Sequence, residues 1–273
     1  MKIHATIIGL WLVLILPIKA QENLDLFGFW KYYSDAENVM YKTSCELAFH
    51  QLEQREQLIA SLSDKAAHLA RQTEVRAKLH RVMGDFPDRT PLNPQITGVI
   101  KQKDFRIEKI LYESVPGYFV TAALFLPAKR KGKLPAVVYA SGHTNNGFRS
   151  ETYQHIIINL VKKGFAVFAF DPVGQGERWQ YFDEAGEKRL GGTTIEHSYP
   201  GAQCYVAGHS PTRYFVWDGI RAVDYLISRK EIDPNRIGMT GRSGGGTQTA
   251  YTAAMDERIL AAAPECYITN MEY

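Results

Sequence analysis

The second half of the chain alternates between short apolar runs and segments with helical periodicity. A strand that is apolar on both sides must be covered on both faces, which is typical of parallel sheets with helical crossovers. The pattern therefore predicts an α/β fold with a mostly parallel sheet covered by helices on both faces. The predicted strands are Ala136–Ala140, Phe165–Phe170, Arg236–Thr240 and Ile259–Ala263, and the predicted helices are Tyr153–Lys163, Pro211–Ser228 and Gly244–Met255.

Two other patterns precede this alternation. Residues 21–94 form a predicted helical N-terminal segment, because apolar residues recur at helical spacings and Gly84 suits a helix end. Three extended runs follow, which predicts an antiparallel approach to the sheet. These runs are Ile96–Lys101, Arg106–Glu113 and Tyr118–Leu126. We therefore assign residues 95–273 to the α/β domain.

Residues 1–20 have the composition of a signal peptide. Lys2 precedes the uncharged apolar run Ala5–Leu16, Pro17 ends that run, and Ala20 offers a small residue for cleavage. The run is shorter than the ~20 residues that a membrane-spanning helix needs, which favours a cleaved signal over an anchor. We expect export to the periplasm or the medium, without stable insertion into the membrane.

The composition excludes several classes of protein and of site. The net charge of +3 comes from scattered Lys and Arg residues, so no nucleic-acid partner is expected. The chain has three cysteines, Cys45, Cys204 and Cys266, and neither they nor its His, Asp and Glu residues have the spacing of metal ligands. We expect no metal and no cofactor. The sequence carries no indication of oligomeric state.

A Gly-x-Ser-x-Gly motif spans residues 241–245, between a predicted strand and a predicted helix. In that context the serine, Ser243, lies on a tight turn that exposes its hydroxyl at the carboxyl edge of the sheet, and small neighbours are needed. The N–H groups that begin the following helix favour a developing negative charge. We predict that Ser243 is a nucleophile and that the Gly244 N–H is an oxyanion donor; the alternative is a purely structural glycine turn.

The second oxyanion donor is expected in the loop after an earlier strand. Residues 141–144 follow the strand Ala136–Ala140, so the backbone N–H of His143 or of Thr144 is the candidate. This role needs no imidazole, and His143 is otherwise an ordinary loop residue. Asp171, at the end of the next strand, is expected to shape a turn.

The segment 172–210 is much longer than the ~2–6 residues of an ordinary connection and is rich in aromatic residues. It is expected to form either a lid or sugar-stacking wall, or a packed excursion with its own small core. Trp179 and Tyr181 are candidates for substrate binding, as is Arg242, which precedes the serine.

Three segments together resemble the α/β-hydrolase superfamily, within it most closely the acetyl xylan esterase and cephalosporin deacetylase group. They are Asp233–Gly246, Ser141–His143 and Asp171–Arg178, and the resemblance covers residues 95–273. It implies a serine ester hydrolase that removes short acyl groups, typically acetyl, from small-molecule or polysaccharide esters through an acyl-enzyme. By position it implies a nucleophile and two oxyanion N–H groups, at Ser243, His143 and Gly244. The family usually has Gln where this chain has Gly244.

A serine nucleophile also needs a base and an orienting acid, which in α/β-hydrolases follow the serine. No histidine follows Ser243, and the carboxylates that follow it are Asp256, Glu257, Glu265 and Glu272. Glu265, at the end of a predicted strand, is the candidate acid. We expect the base, and the acid if it is not Glu265, beyond Tyr273, which would make the hydrolase domain incomplete at its C-terminus. An upstream base, His197 or His209, is the alternative.

Two other functions compete with the esterase. A serine peptidase of the prolyl oligopeptidase type shares the pattern around Ser243, but residues 21–95 are too short and too helical for the β domain that usually precedes such a hydrolase. A catalytically inactive binding protein or remnant would follow from the missing histidine.

Overall fold

The structure, a computed structural model, describes residues 35–129 and 131–269. They belong to two compact units that divide between Asp64 and Lys65. Helix α1 (Val39–Ala60) lies in the first unit. The predicted signal peptide, residues 1–20, lies outside the described residues.

The second unit begins with helix α2 (Lys65–Met83). This helix ends before Gly84, which has a φ of 85° and donates its N–H to the His80 carbonyl at 2.8 Å. Glycine adopts that left-handed conformation without a steric penalty, so the helix ends where the sequence predicts. Met83 packs in a buried cluster with Trp217. Helix α2 thus belongs to the same compact unit as the sheet, whereas the sequence suggested a boundary near residue 94.

A seven-stranded sheet forms the core of this unit, in the order β1-β2-β3-β5-β4-β6-β7. The pairs β1–β2, β2–β3 and β3–β5 are antiparallel, and the pairs that join β5, β4, β6 and β7 are parallel. The strands are β1 (Gln95–Lys101), β2 (Phe105–Val115), β3 (Tyr118–Pro127), β4 (Leu134–Ala140), β5 (Ala166–Phe170), β6 (Ile232–Arg242) and β7 (Ile259–Glu265). This arrangement confirms the predicted antiparallel approach and the parallel core.

Helices cover both faces of the sheet. Helices α3 (Glu151–Lys162), α5 (Thr212–Ser228) and α6 (Gly244–Met255) pack against the strands, and α4 (Thr193–Val206) lies between α3 and α5 in the chain. Phe125 on β3 packs in one buried cluster with Ile157 of α3, whereas its neighbour Leu124 packs in another with Leu226 of α5. Successive strand residues point to opposite faces, so both faces are buried as predicted. Helix α4 lies within the long segment 172–210, where the sequence predicted no helix.

A buried ion pair holds the segment after β5 to α5. Arg178 Nη1 lies 2.7 Å from Asp218 Oδ2 and donates to the Asp171 carbonyl at 2.8 Å. Both charged side chains are at most 3% exposed. Removing one partner of such a pair leaves an uncompensated buried charge, at a cost of ~3–5 kcal/mol.

Three further observations concern the described part of the chain. None of its helices has both the length and the apolar composition needed to cross a bilayer. Within residues 35–129 and 131–269, no three His, Cys, Asp or Glu side chains are grouped so that they could hold a metal ion. The thiols of Cys45, Cys204 and Cys266 are free.

Candidate active site

Ser243 lies on the turn between β6 and α6 and is exposed. Its φ of 56° and ψ of −117° are strained for a residue other than glycine, at a cost of ~1–3 kcal/mol. The Ser243 N–H donates to the Glu265 carbonyl at 2.9 Å, and its own carbonyl accepts the N–H of Thr247 at 3.0 Å. This is the strand–turn–helix geometry that presents a serine hydroxyl at the carboxyl edge of a sheet.

The glycines around Ser243 allow the end of β4 to lie against this turn. A Cβ at Gly241 or Gly245 would come within 3.0 Å of the Ala140 carbonyl oxygen, closer than real Cβ atoms approach. The obstacle is backbone, so it cannot rotate away. The sequence prediction that these neighbours must be small is therefore confirmed.

The loop that follows β4 lies beside Ser243. A Cβ at Gly142 would be 3.3 Å from Ser243 Cβ. The Thr144 N–H is engaged, because it donates to Gln175 Oε1 at 2.8 Å. Among the described residues, the N–H groups of His143 and Gly244 have no hydrogen-bond partner. Of the two donors that the sequence left open in this loop, His143 is therefore the one that remains free.

His143 also packs against the first residue of α6, since a Cβ at Gly244 would lie 2.9 Å from its Cε1. His143 Nε2 lies 3.0 Å from His197 Nδ1, and His197 Nε2 lies 2.7 Å from the Val173 carbonyl oxygen. A carbonyl only accepts, so His197 Nε2 carries a proton. In neutral His197, Nδ1 then accepts a hydrogen bond from the N–H of His143 Nε2, and the two bonds fix both tautomers.

Both imidazoles favour the neutral form. Burial lowers the pKa of His197 to about 4; the hydrogen bond to Val173 opposes this shift, and the charge of His143 adds to it. Burial also lowers the pKa of His143. At neutral pH the pair is therefore uncharged, and its hydrogen bonds orient the loop that carries the His143 N–H.

The upstream histidines named as alternative bases are engaged elsewhere. His197 bonds to His143 and Val173. His209 lies against Gly84, with its Nδ1 2.8 Å from the position of a Gly84 Cβ. In the described part of the chain no imidazole hydrogen-bonds to the Ser243 hydroxyl.

Glu265 and Arg242 lie on the rim beside Ser243. Glu265 Oε1 is 3.6 Å from Arg242 Nε, and the two side chains are about half exposed. The Glu265 carbonyl accepts the Ser243 N–H, so the backbone of Glu265 lies next to Ser243. Solvated ion pairs of this length are weak, which leaves both side chains available to a substrate.

The aromatic candidates in segment 172–210 differ in accessibility. Trp179 is only 8% exposed, and the Lys188 ammonium lies 3.7 Å from its ring centroid. A sugar ring has no free face to stack on there. Tyr181 is partly exposed and lines a cavity.

Asp171 is fully buried at the end of β5. Its Oδ2 accepts hydrogen bonds from the Thr121 hydroxyl at 2.8 Å and the Glu177 N–H at 3.2 Å, and it lies 3.0 Å from Arg149 Nη1. Burial raises the pKa of Asp171, and the charge of Arg149 opposes that shift. These contacts hold the turn after β5, in agreement with the structural role expected from the sequence.

A cavity of about 140 Å³ opens beside Gly244. It is lined by His143, Gln175, His197, Thr212, Phe215, Val216, Gly244, Thr247, Gln248 and Tyr251. A larger cleft of about 600 Å³ runs along β6 and β7, but Arg236 is the one titratable residue among the described residues that line it. The smaller cavity is therefore the one lined by His143 and Gly244, whose N–H groups have no partner among the described residues, and Gly244 directly follows Ser243 in the chain. Gln175, which the sequence analysis did not single out, joins this site from the turn after β5.

Comparison with known proteins identifies relatives in sequence and in fold. The protein named "Putative hydrolase YtaP", from Bacillus subtilis (strain 168), is 27% identical over 210 residues, which cover 71% of this chain and 64% of that protein. The chain thus spans less than two thirds of the length of this relative.

Two solved structures share the fold. A putative acetyl xylan esterase from Bacteroides fragilis NCTC 9343 superposes with a TM-score of 0.60 and 18% identity, over 71% of this chain and 52% of that one. Methylesterase BT1017 superposes with a TM-score of 0.60 and 25% identity, over 78% of this chain and 44% of that one. The sheet and its helices therefore form an α/β-hydrolase fold.

Residues 92–271 match the family model for acetyl xylan esterases. The matched region runs from just before β1 to beyond β7, so it includes the Ser243 turn, the loop after β4 and the pair of histidines. A match over this much of the chain, on this fold, establishes that the chain belongs to the acetyl xylan esterase (AXE1) family.

Proposed function

We propose that the protein is a serine ester hydrolase that removes short acyl groups, acetyl above all, from carbohydrate esters. The observation that carries the proposal is the strained, exposed Ser243 at the start of α6, beside the unpartnered N–H groups of His143 and Gly244. Membership of the acetyl xylan esterase family supports the substrate class.

The proposed reaction has two steps. Ser243 Oγ attacks the ester carbonyl carbon, and the N–H groups of His143 and Gly244 stabilise the oxyanion that forms. The alcohol of the sugar leaves with a proton, which leaves the acyl group on Ser243. Water then releases the acid and restores the hydroxyl. A cavity of about 140 Å³ suits a small acyl group.

The reaction needs a base to accept the hydroxyl proton and an acid to orient it. Glu265 is the candidate acid, because its backbone bonds to Ser243 and its carboxylate lies on the same rim. In the order usual for this fold, the histidine base follows the acid. The proposal includes export, which rests on the composition of residues 1–20.

Labelling with a fluorophosphonate probe tests the nucleophile, and hydrolysis of p-nitrophenyl acetate tests the activity. We expect the probe on the peptide that contains Ser243. Ser243→Ala should abolish labelling and lower kcat by at least ~10³-fold, because the covalent route is lost. Ser228→Ala, at the end of α5, is the matched control and should leave both unchanged.

Labelling that persists in Ser243→Ala would contradict the assignment. If neither the 273-residue chain nor a longer product of its gene is labelled or hydrolyses esters, the result favours an inactive binding protein over an esterase. Acetylated xylan and a methyl-esterified polysaccharide should be compared as substrates, because the fold is shared with methylesterase BT1017. A preference for the methyl ester would reject the acetyl assignment while keeping the serine mechanism.

A further inference from the structure

A second cavity, of about 320 Å³, lies next to the one beside Gly244. Segment 172–215 forms most of its wall, and β3 contributes Tyr118. Three tyrosines and a phenylalanine supply aromatic surface, namely Tyr118, Tyr181, Tyr214 and Phe215. We call this space the tyrosine cavity.

The tyrosine cavity and the cavity beside Gly244 share part of their walls. His197 and Phe215 line both of them, and their ring centroids are 4.7 Å apart. A group bound in the tyrosine cavity therefore contacts two side chains that also line the cavity beside Gly244.

The aromatic wall is held in place by contacts behind it. The Tyr118 ring lies between the Arg178 guanidinium, 5.0 Å from its centroid, and the Tyr214 ring at 6.5 Å. The fully buried Glu196 accepts the N–H groups of Gln180 at 2.9 Å and Tyr181 at 3.3 Å. A preorganised wall loses little side-chain entropy when a ligand binds.

The side chains that line the tyrosine cavity favour an uncharged ring as the ligand. Both carboxylate oxygens of Glu196 are taken up by backbone N–H groups, and the side chain is not exposed. Tyrosines offer apolar ring faces together with hydroxyl groups that donate and accept. A sugar ring has the matching combination of C–H faces and hydroxyl edges. The volume is at the lower end of the ~300–1,000 Å³ typical of ligand sites, which suits a single ring.

We propose that the tyrosine cavity is a sugar subsite that holds one neutral pyranose ring of the substrate. The ester group of the same substrate then lies towards the cavity beside Gly244, which shares His197 and Phe215 with the tyrosine cavity. This inference rests on the proposed function, because it assigns the alcohol part of the ester to one cavity and the acyl part to the other.

The test compares an acetylated methyl xyloside with ethyl acetate, an ester that has no ring. In Tyr181→Ala and in Tyr214→Ala, the ratio of kcat/KM for the xyloside to kcat/KM for ethyl acetate should fall roughly 10-fold, the effect of losing one stacking contact. Tyr205→Ala is the matched control, since Tyr205 lies on α4, is 66% exposed and does not line the cavity. Tyr214→Leu removes the ring but keeps apolar bulk, and it should lower the ratio in the same direction if Tyr214→Ala does not fold.

An unchanged ratio in both alanine variants would overturn the subsite. Binding of unacetylated methyl xyloside, measured by NMR in Ser243→Ala, separates this inference from the proposed function. Binding that Tyr214→Ala abolishes would support the subsite even if no ester is hydrolysed. The subsite is rejected if the xyloside does not bind, or if Tyr214→Ala leaves its binding intact. It is also rejected if toluene binds more tightly than the xyloside.

Discussion

Replacing His197 with glutamine should make the stability of the protein less sensitive to acid. The partly buried His197 imidazole lies between His143 and the Val173 carbonyl, and this burial lowers its pKa to about 4. In the unfolded chain an ordinary histidine has a pKa of 6.5. Glutamine still offers a donor to Val173 but does not titrate.

The size of the effect follows from the difference between these two pKa values. Below pH 6.5 the unfolded state binds a proton at His197, whereas the native state does not until the pH approaches 4. The unfolded state therefore binds more protons in this window, and the free energy of unfolding falls as the pH is lowered. By pH 4.5 the loss from this group is at most about 2.5 kcal/mol, at ~1.4 kcal/mol per pKa unit.

The assay is urea unfolding at a series of pH values between 7.5 and 4.5. At pH 7.5, His197→Gln should be less stable than the wild type by ~1–2 kcal/mol, because the imidazole that packs on Phe215 and bonds to His143 is replaced by a differently shaped amide. That difference should shrink, or change sign, as the pH falls towards 4.5. Titrating groups that do not contact residue 197 are common to both proteins and cancel in the comparison.

His155→Gln is the control, because His155 is an exposed histidine on α3. It should follow the wild-type curve at every pH. The reasoning is refuted if the difference between wild type and His197→Gln stays constant from pH 7.5 to 4.5, since His197 would then titrate alike in the native and unfolded states.

Two further predictions concern packing. Gly245→Ala should lower the melting temperature and the soluble yield, because its Cβ would collide with the Ala140 carbonyl, and overpacking costs ~1–3 kcal/mol or more. Gly192→Ala is the control, because nothing lies within 4 Å of a Cβ at that position. Equal melting temperatures for the two variants would contradict the prediction. Arg178→Met should destabilise the protein by ~3–5 kcal/mol in denaturant unfolding, because it leaves Asp218 as a buried charge. Asp218→Leu in the same chain should recover much of that loss, and no recovery would show that the cost lies in packing alone.

Much of the fold could be read from local patterns. The helix over residues 244–255 and the strand that starts at Ile259 begin where the sequence predicts, and other strand ends differ by a few residues. Apolar periodicity reports which side of an element is buried, and that information is carried by neighbouring residues. The Ser243 turn is local for the same reason, since the glycines that permit it lie within two residues of the serine.

The partners of the site residues could not be read in this way. Thr144 and His143 are adjacent and equally suited to be oxyanion donors, and the side chain of Gln175, from a distant turn, decides between them. Trp179 is aromatic like Tyr181, yet it is covered by Lys188. Such contacts depend on how segment 172–210 folds back over the sheet, which no periodicity encodes.

By itself, then, the sequence determined the α/β architecture and the strained serine turn, because both arise from residues close together in the chain. The tertiary structure decided which N–H groups stay free at Ser243, how His143 and His197 fix each other's tautomers, and that two cavities share part of their walls. These features join segments that are far apart in the chain, so they exist only once the sheet and its helices have packed.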